Sequence, residues 1–221
     1  MWEFLDEQQA RLSPKTYSGY EEAICYFEKY LNGWAHKYLN EKDKIRLNEL
    51  YAREGRKYCE IFGPEYIRAF EIKDFLGHFM IRNVLASKTS LETVGRVMHK
   101  LVKWMHEKNY INFDDYEALN WLVRRLKVDM PVAEEVSDLL CLYALTHPVE
   151  DYSKTLDDFF IITKVKPGKL WFESYQDGEE VGPIIVSEDI SSKCKEGWTI
   201  CLLLAKAGNT WRILESGNMY P

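Results

Sequence analysis

The sequence predicts an α+β protein in which an all-α helical bundle precedes a small β-barrel. Between Tyr17 and Tyr38, apolar residues recur at alternating steps of three and four, which places a single stripe along one helix face. After Pro148 the pattern changes to five short apolar runs separated by Gly and Pro, which is typical of strands. We therefore expect a helical domain at residues 1–147 and a barrel at 155–221, with the boundary between Thr146 and Thr155.

The composition is that of a globular protein, because 46% of the 221 residues are hydrophobic. The net charge of -6 argues against a strongly basic nucleic-acid binder, so any such function requires a local basic patch. The five cysteines are scattered and form no CxxC pair, which favours a reduced, cytoplasmic setting. The acidic first residues, Met1–Glu7, lack the apolar core of a signal peptide, and no apolar run approaches a membrane span.

The helical half begins at Ser13-Pro14, where Ser caps the helix and Pro occupies its first turn. The aromatic-rich stripe of this helix predicts core packing, with Trp34 as one anchor and Trp104, further along the chain, as another. Ser90 is the predicted cap of the fourth helix. The helices expected after the first are Glu41–Tyr58, Ile72–Leu85, Ser90–Lys108, Asp114–Val128 and Pro131–Leu145.

Five short strands in the last third of the chain predict a small barrel of SH3-like or OB-like type. The last two strands are expected to form a hairpin around Gly208, and the tail to pack back on the barrel through Tyr220. Trp171, Trp198 and Trp211 favour barrel core and strand pairing, with a ligand groove as the alternative. The predicted strands are Asp158–Val165, Lys169–Tyr175, Ile184–Val186, Thr199–Lys206 and Thr210–Leu214.

Two stretches of the helical half carry a family resemblance. One runs from Ser13 to Trp34, and the other from Phe75 through Ser87 and Thr93 to Lys103-Trp104. Together they resemble the SAM-like core-binding domain of tyrosine recombinases (phage integrases), over roughly residues 10 to 112. The resemblance implies a domain whose polar helix faces meet the phosphates and grooves of duplex DNA. Carried over by position, the DNA-contacting candidates are Ser87, Lys88, Thr93, Lys100 and Lys103.

The sequence lacks the motifs of the catalytic domain of that family. That domain needs two Arg, an HxxR motif and a Tyr nucleophile, whereas none of the five His here is followed by Arg three residues later. Tyr220 has no Arg and His around it in sequence, and no phosphate loop, GxSxG motif or zinc-ligand spacing occurs. We expect no enzyme activity, no cofactor and no metal, with an enzyme of unknown type as the least favoured alternative.

The charge pattern gives an independent reason to consider nucleic acid. Residues 88–127 contain eight Lys and Arg against five Asp and Glu. Arg96, His99, Lys100 and Lys103 fall on one polar stripe of their helix, and Arg124, Arg125 and Lys127 form a second cluster. These residues predict either phosphate contacts or an ordinary solvated helix face with pairs such as Lys103 and Glu107.

The favoured function is a non-catalytic protein that binds duplex DNA through the helical half. The alternative is a protein-interaction module, with the bundle or the barrel binding another protein. A continuous positive face that includes Lys88, Arg96, Lys100 and Lys103 would favour DNA. A neutral face with an exposed aromatic patch would favour a protein partner.

Overall fold

A computed structural model describes all 221 residues and has the predicted α+β class, with helices followed by a five-stranded sheet. The chain divides into two compact units: the helical unit, Met1–Val128, and the sheet unit, Asp129–Pro221. Eight helices come first. They are α1 (Trp2–Gln9), α2 (Pro14–Gly33), α3 (Glu41–Glu54), α4 (Tyr58–Ile61), α5 (Ala69–Asp74), α6 (Met80–Asn83), α7 (Lys88–Glu107) and α8 (Phe113–Thr146).

Local capping sets where three of these helices begin or end. The Ser13 Oγ accepts the Thr16 amide at 3.3 Å, so α2 begins as predicted. The α7 helix begins earlier than predicted, because the Ser87 Oγ accepts the amide of Ser90, the expected cap. The α3 helix stops short of the predicted Tyr58, since Gly55 adopts a left-handed conformation at φ 69° and closes its last turn.

The predicted third helix is interrupted by a π turn at Phe75–Phe79, between α5 and α6. This turn carries two aromatic rings into the core of the helical unit. Phe75 lies 4.9 Å from Phe27, and Phe79 lies 5.4 Å from Tyr30, between ring centroids. All four residues are buried, so this aromatic cluster holds the π turn against α2.

The two tryptophans predicted as core anchors differ. Trp104 is buried, and its indole nitrogen donates to Glu7 at 3.1 Å, as a buried indole requires. Trp34 is 42% exposed, so its prediction as a core anchor was wrong. The reason is local: α2 ends at Gly33 and the chain turns into a 3₁₀ helix, which takes Trp34 off the apolar stripe. The unpredicted α1 helix contributes Phe4, whose ring packs 5.6 Å from Trp104.

One helix, α8, replaces the two predicted at Asp114–Val128 and Pro131–Leu145, with Pro131 inside it. Pro131 lacks the N–H that would bond to the Lys127 carbonyl, which costs about 3 kcal/mol in a helix interior. Burial on both sides of the proline offsets this cost and keeps the helix continuous. The buried residues are Leu119, Leu122, Val123 and Leu126 before it, and Ala133, Val136 and Leu140 after it.

The position of α8 also changes the predicted domain division. Ala133, Val136, Leu140 and Ala144 belong to the same buried cluster as the strands. The units therefore divide at Val128–Asp129 and not at Thr146–Thr155. The change from helical to strand periodicity marks where the sheet begins, whereas the sheet unit needs the helix before it to cover its core.

The sheet unit contains β1 (Thr155–Lys166), β2 (Lys169–Ser174), β3 (Glu180–Ile185), β4 (Thr199–Ala207) and β5 (Thr210–Tyr220). They are hydrogen bonded in the closed order β1-β2-β3-β5-β4, with β4 returning to β1. The one parallel contact joins β3 to β5 at Ile184 and Trp211. The predicted packed tail is instead the end of β5, where Tyr220 pairs with Thr199. A short helix that was not predicted, α9 (Glu188–Lys193), is capped by Ser187.

The core of the sheet unit includes Trp198 and Trp211, in agreement with the core interpretation of these residues. Trp171 is only partly buried, and Lys164 lies 5.2 Å over its ring. The Ser137 Oγ of α8 accepts the Met219 amide at 2.8 Å, which ties the helix to β5. No helix in the protein combines the length and hydrophobicity that crossing a bilayer requires.

Within the helical unit, α7 packs unusually close to two other helices. A Cβ placed on Gly95 would lie 2.5 Å from the Cβ of Lys127 in α8. A Cβ placed on Gly19 of α2 would lie 3.0 Å from the Thr93 Cγ2. Both distances are shorter than normal van der Waals contact, so the absence of a side chain at these positions lets α7 approach α8 and α2.

We predict that Gly95→Ala destabilises the protein by about 1–3 kcal/mol, because the added methyl group overlaps the α8 backbone and the helices must separate. Gly33→Ala is the control, since a Cβ there meets nothing within 4 Å. In a helix, that control should be neutral or stabilising by up to about 1 kcal/mol. Urea denaturation followed by circular dichroism measures both. Equal stability of the two variants would contradict the close crossing.

We also predict that residues 129–221 fold as a fragment, whereas residues 155–221 do not. The shorter fragment lacks Ala133, Val136 and Leu140, which are fully buried against the strands. Leaving out such residues removes several kcal/mol of burial free energy. Amide chemical-shift dispersion in NMR spectra distinguishes the outcomes. A well-dispersed spectrum from 155–221 would restore the division at Thr146–Thr155.

Candidate nucleic-acid interface

The start of α2 and one face of α7 enclose a groove of about 490 Å³, which we call the basic groove. Its size falls within the range of ligand sites in proteins. Its lining combines cations and hydroxyl groups with apolar atoms, and the apolar atoms make up the larger part of its surface. The lining residues are Lys15, Thr16, Gly19, Tyr20, Thr89, Thr93, Arg96, Val97, His99 and Lys100.

The α2 side of the groove is formed by its first two turns. Lys15 and Thr16 lie in the first turn, where amide groups without helical partners give a helix its partial positive charge. Tyr20 follows one turn later. Burial raises the pKa of Tyr20 above its usual value, so its hydroxyl group stays protonated at neutral pH and is available as a donor.

On the α7 side, a chain of hydrogen bonds orients the arginine. The Thr93 hydroxyl donates to the Thr89 carbonyl at 2.9 Å, and Arg96 donates to the same Thr93 oxygen at 2.9 Å. The Thr93 hydroxyl proton is therefore already used within the helix. Thr93 positions Arg96 along the groove, and most of the guanidinium donors of Arg96 remain available to a phosphate.

His99 joins the groove to α8. Its Nε2 lies 2.9 Å from the Asn120 Oδ1. Burial lowers the pKa of His99 below its usual value, and the nearby charges of Lys127, Arg124 and Lys100 lower it further. His99 is therefore neutral at pH 7. The same cations show that the positive potential extends from α7 onto α8.

The basic groove has no internal neutralisation. No Asp or Glu side chain lines it. Lys15, Arg96 and Lys100 take part in no salt bridge. Uncompensated cations beside hydroxyl donors and the N-terminus of a helix are the arrangement that phosphate groups bind.

The acidic total charge of the protein is confined to the sheet unit. Residues 129–221 contain 8 Lys and Arg against 16 Asp and Glu, a net charge of -8. Residues 1–128 contain 21 against 19, a net charge of +2. The net charge of -6 therefore gives no argument against phosphate binding by the helical unit.

The structure brings together three of the eight predicted DNA-contacting residues, Thr93, Arg96 and Lys100, in the basic groove. Arg124 lies beside it, close enough to affect His99. Lys103 lies beyond it and pairs with Glu107 at 3.5 Å, as the solvated-face interpretation proposed.

The remaining three predicted residues lie outside the groove lining. The Ser87 Oγ caps α7, so its role is structural. Lys88 is exposed in the first turn of α7 and interacts with at least one other residue. Arg125 lies over the Trp121 ring, 5.3 Å from its centroid. The positive face is therefore narrower than predicted on α7 and extends onto α2, which was not predicted to take part.

The sequence reasoning did not assign a binding role to the α2 residues of the groove, Lys15, Thr16 and Tyr20. The signal for the first two was present, since the Ser13-Pro14 start places them in a helix N-terminal turn. This turn faces α7 because Gly19 packs closely against Thr93. The spacing of apolar residues in the sequence does not reveal such a contact between helices. No group of three His, Cys, Asp or Glu side chains is arranged to hold a metal ion.

Comparisons of the chain with models of protein families, with curated proteins and with solved structures found no match.

We predict that phosphate binding strengthens as the pH falls from about 7.5 to 5.5, beyond the general effect of protein charge. An anion in the groove favours protonated His99, so its lowered pKa rises on binding and a proton is taken up. His99→Gln preserves a partner for Asn120 but cannot gain charge. Its affinity for a phosphorylated ligand should depend less steeply on pH than that of the wild type. Identical pH profiles would show that His99 does not face the ligand.

Proposed function

We propose that the helical unit binds the phosphate backbone of DNA through the basic groove, without sequence-specific base contacts and without catalysis. The observation that carries this proposal is the cluster of Lys15, Arg96 and Lys100, which lacks carboxylate partners. Such a cluster binds phosphates by releasing the condensed counterions of the nucleic acid. The hydroxyl group of Tyr20 supplies a neutral donor for the same oxygens, whereas the Thr16 hydroxyl already shares a hydrogen bond of 2.9 Å with the Ser13 hydroxyl.

The resemblance to the SAM-like core-binding domain of tyrosine recombinases supports the same proposal, because such domains place polar helix faces against duplex DNA. The support is partial. The residues that the resemblance implies include Ser87, which caps α7, and Lys103, which pairs with Glu107. Phosphate contacts position a protein on DNA and carry no sequence information, so we expect similar affinity for unrelated sequences.

The sheet unit favours a different partner. Its net charge of -8 repels phosphates, and it presents two exposed aromatic residues, Phe159 in β1 at 44% exposure and Tyr175 in the turn after β2 at 72%. The Tyr175 amide donates to the Phe159 carbonyl at 2.8 Å, so these two residues are neighbours. We propose that this unit is an SH3-like barrel, with OB-like as the alternative, and that it binds a protein through this aromatic pair.

We predict that the triple variant Lys15→Ala/Arg96→Ala/Lys100→Ala binds duplex DNA more weakly than the wild type, to a similar degree across unrelated sequences. Each lost phosphate contact flattens the slope of log affinity against log salt by about 0.9, so the slope should change by about 2 to 3. Fluorescence anisotropy with labelled duplexes between about 50 and 200 mM salt measures this change.

The control is Lys42→Ala/Arg53→Ala/Lys73→Ala, which removes the same total charge from exposed positions on α3 and α5. It should leave the slope nearly unchanged. If the wild type binds neither duplex nor single-stranded DNA at about 50 mM salt and micromolar protein, the DNA proposal is wrong. If the two triple variants lose affinity equally, binding is general electrostatic attraction and does not use the groove.

A further inference from the structure

Trp121, on the outer face of α8, is one of three exposed tryptophans of the helical unit. Its side chain is 63% exposed, whereas Leu122 and Val123 beside it are buried. Leaving so large an apolar ring in water forgoes the free energy that its burial would supply. An exposed indole within a charged surface is a feature of sites that bind a planar group.

Arg125 holds the indole in place. Its guanidinium lies 5.3 Å from the centroid of the Trp121 ring, one helical turn away on the same face. This contact restricts the side chain and puts positive charge beside it. With 63% of the residue still exposed, the ring keeps a surface open to solvent. The pair is therefore a restrained aromatic surface with a cationic edge.

Trp121 is next in sequence to the residue that links α8 to the basic groove. The preceding residue, Asn120, is hydrogen bonded to His99, which lines the groove. Arg124 and Lys127 lie close enough to His99 to lower its pKa. Along α8, Arg124 is about 60° around the helix from Trp121. A line of positive charge thus leads from the groove past Arg124 to the indole.

We propose that the preferred ligand of the basic groove is single-stranded DNA, with an unpaired base stacked on Trp121 while the groove holds the backbone. This inference rests on the proposed function and names the form of the nucleic acid. A duplex buries the faces of its bases within its own stack, so it offers nothing to the open surface of the indole. A single strand offers both its phosphates to Lys15, Arg96 and Lys100 and a free base face to Trp121.

Charge complementarity distinguishes this ligand from a second protein chain. Arg124 and Arg125 follow the indole by one helical turn and Glu117 precedes it by one turn, with Lys127 and Lys100 toward the groove, so the cations are in excess. A second copy of this helical unit would bring the same positive surface and repel it. A polyanion with exposed aromatic bases matches both the charge and the ring.

The test compares oligothymidine with a duplex of the same length in nucleotides, at about 100 mM salt. The wild type should bind the single strand more tightly. Trp121→Ala should weaken single-strand binding roughly tenfold, since stacking of one base on an aromatic ring is worth a factor in that range. Its affinity for the duplex and its salt slope should stay unchanged, because no charge is removed. Trp121→Phe should recover most of the affinity.

Tyr51→Ala is the control, because Tyr51 is also 63% exposed but lies on α3. It should bind like the wild type. Oligothymidine should also quench part of the tryptophan emission of the wild type and less of that of Trp121→Phe. Equal affinity for both nucleic acids, or an equal loss on both in Trp121→Ala, would overturn this inference while leaving phosphate binding intact. Absence of binding to either would overturn the proposed function with it.

Discussion

The helical unit depends on how closely α7 packs against α2 and α8. Gly19 and Gly95 leave out the side chains that would keep these helices apart, and the nearest atoms across the two contacts belong to Thr93 and Lys127. Helix axes in proteins are usually separated by the side chains at their contact. Here the two glycines bring α7 close to the first turns of α2 on one side and to the middle of α8 on the other. Every cation of the basic groove owes its position to one of these contacts.

The close packing of α7 against α8 brings several cations near His99, and their repulsion opposes folding. Lys100, Arg124 and Lys127 act together on His99, and all three disfavour its protonation. Like charges that act on one group also repel one another, which destabilises the fold in the absence of an anion. Proteins retain such arrangements where a ligand of opposite charge supplies the compensation. The absence of carboxylates from the groove lining agrees with this interpretation, since one Asp would relieve the repulsion and also compete with a phosphate.

The sequence predicted the positions of helices and strands better than it predicted which of them pack together. Ser13-Pro14 predicts the start of α2 because capping is a local interaction between neighbouring residues. Gly and Pro likewise predict the turns at Pro167-Gly168 and Gly208-Asn209, whereas β3 runs through Gly182-Pro183 and β5 continues past the predicted end at Leu214. The second half of α8 shows the limit: its apolar spacing indicates a helix, but the same spacing suits packing on helices or on a sheet. Residues Ala133 to Ala144 therefore looked like part of the bundle, although they cover the strands.

In the candidate site, too, local spacing predicts some residues, whereas contacts between distant helices could not be predicted. Arg96 and Lys100 were predicted because helical periodicity alone puts them opposite the apolar face. Lys15 was missed because it lies 81 positions before Arg96 in the sequence, and only the packing of α2 against α7 makes the two residues neighbours. Lys103 has the periodicity of a site residue, yet Glu107 one turn later neutralises it.

The contact between Gly95 and Lys127 has an evolutionary consequence. The atoms that approach residue 95 are the Cα and Cβ of Lys127, which every amino acid except glycine possesses. The ammonium group takes no part in the packing. In homologues, position 95 should therefore be restricted to glycine, whereas position 127 is free to exchange lysine for arginine, glutamine or glutamate. Selection can thus adjust the charge beside the groove one residue at a time, and alter the strength of ligand binding, without repacking the helices that form it.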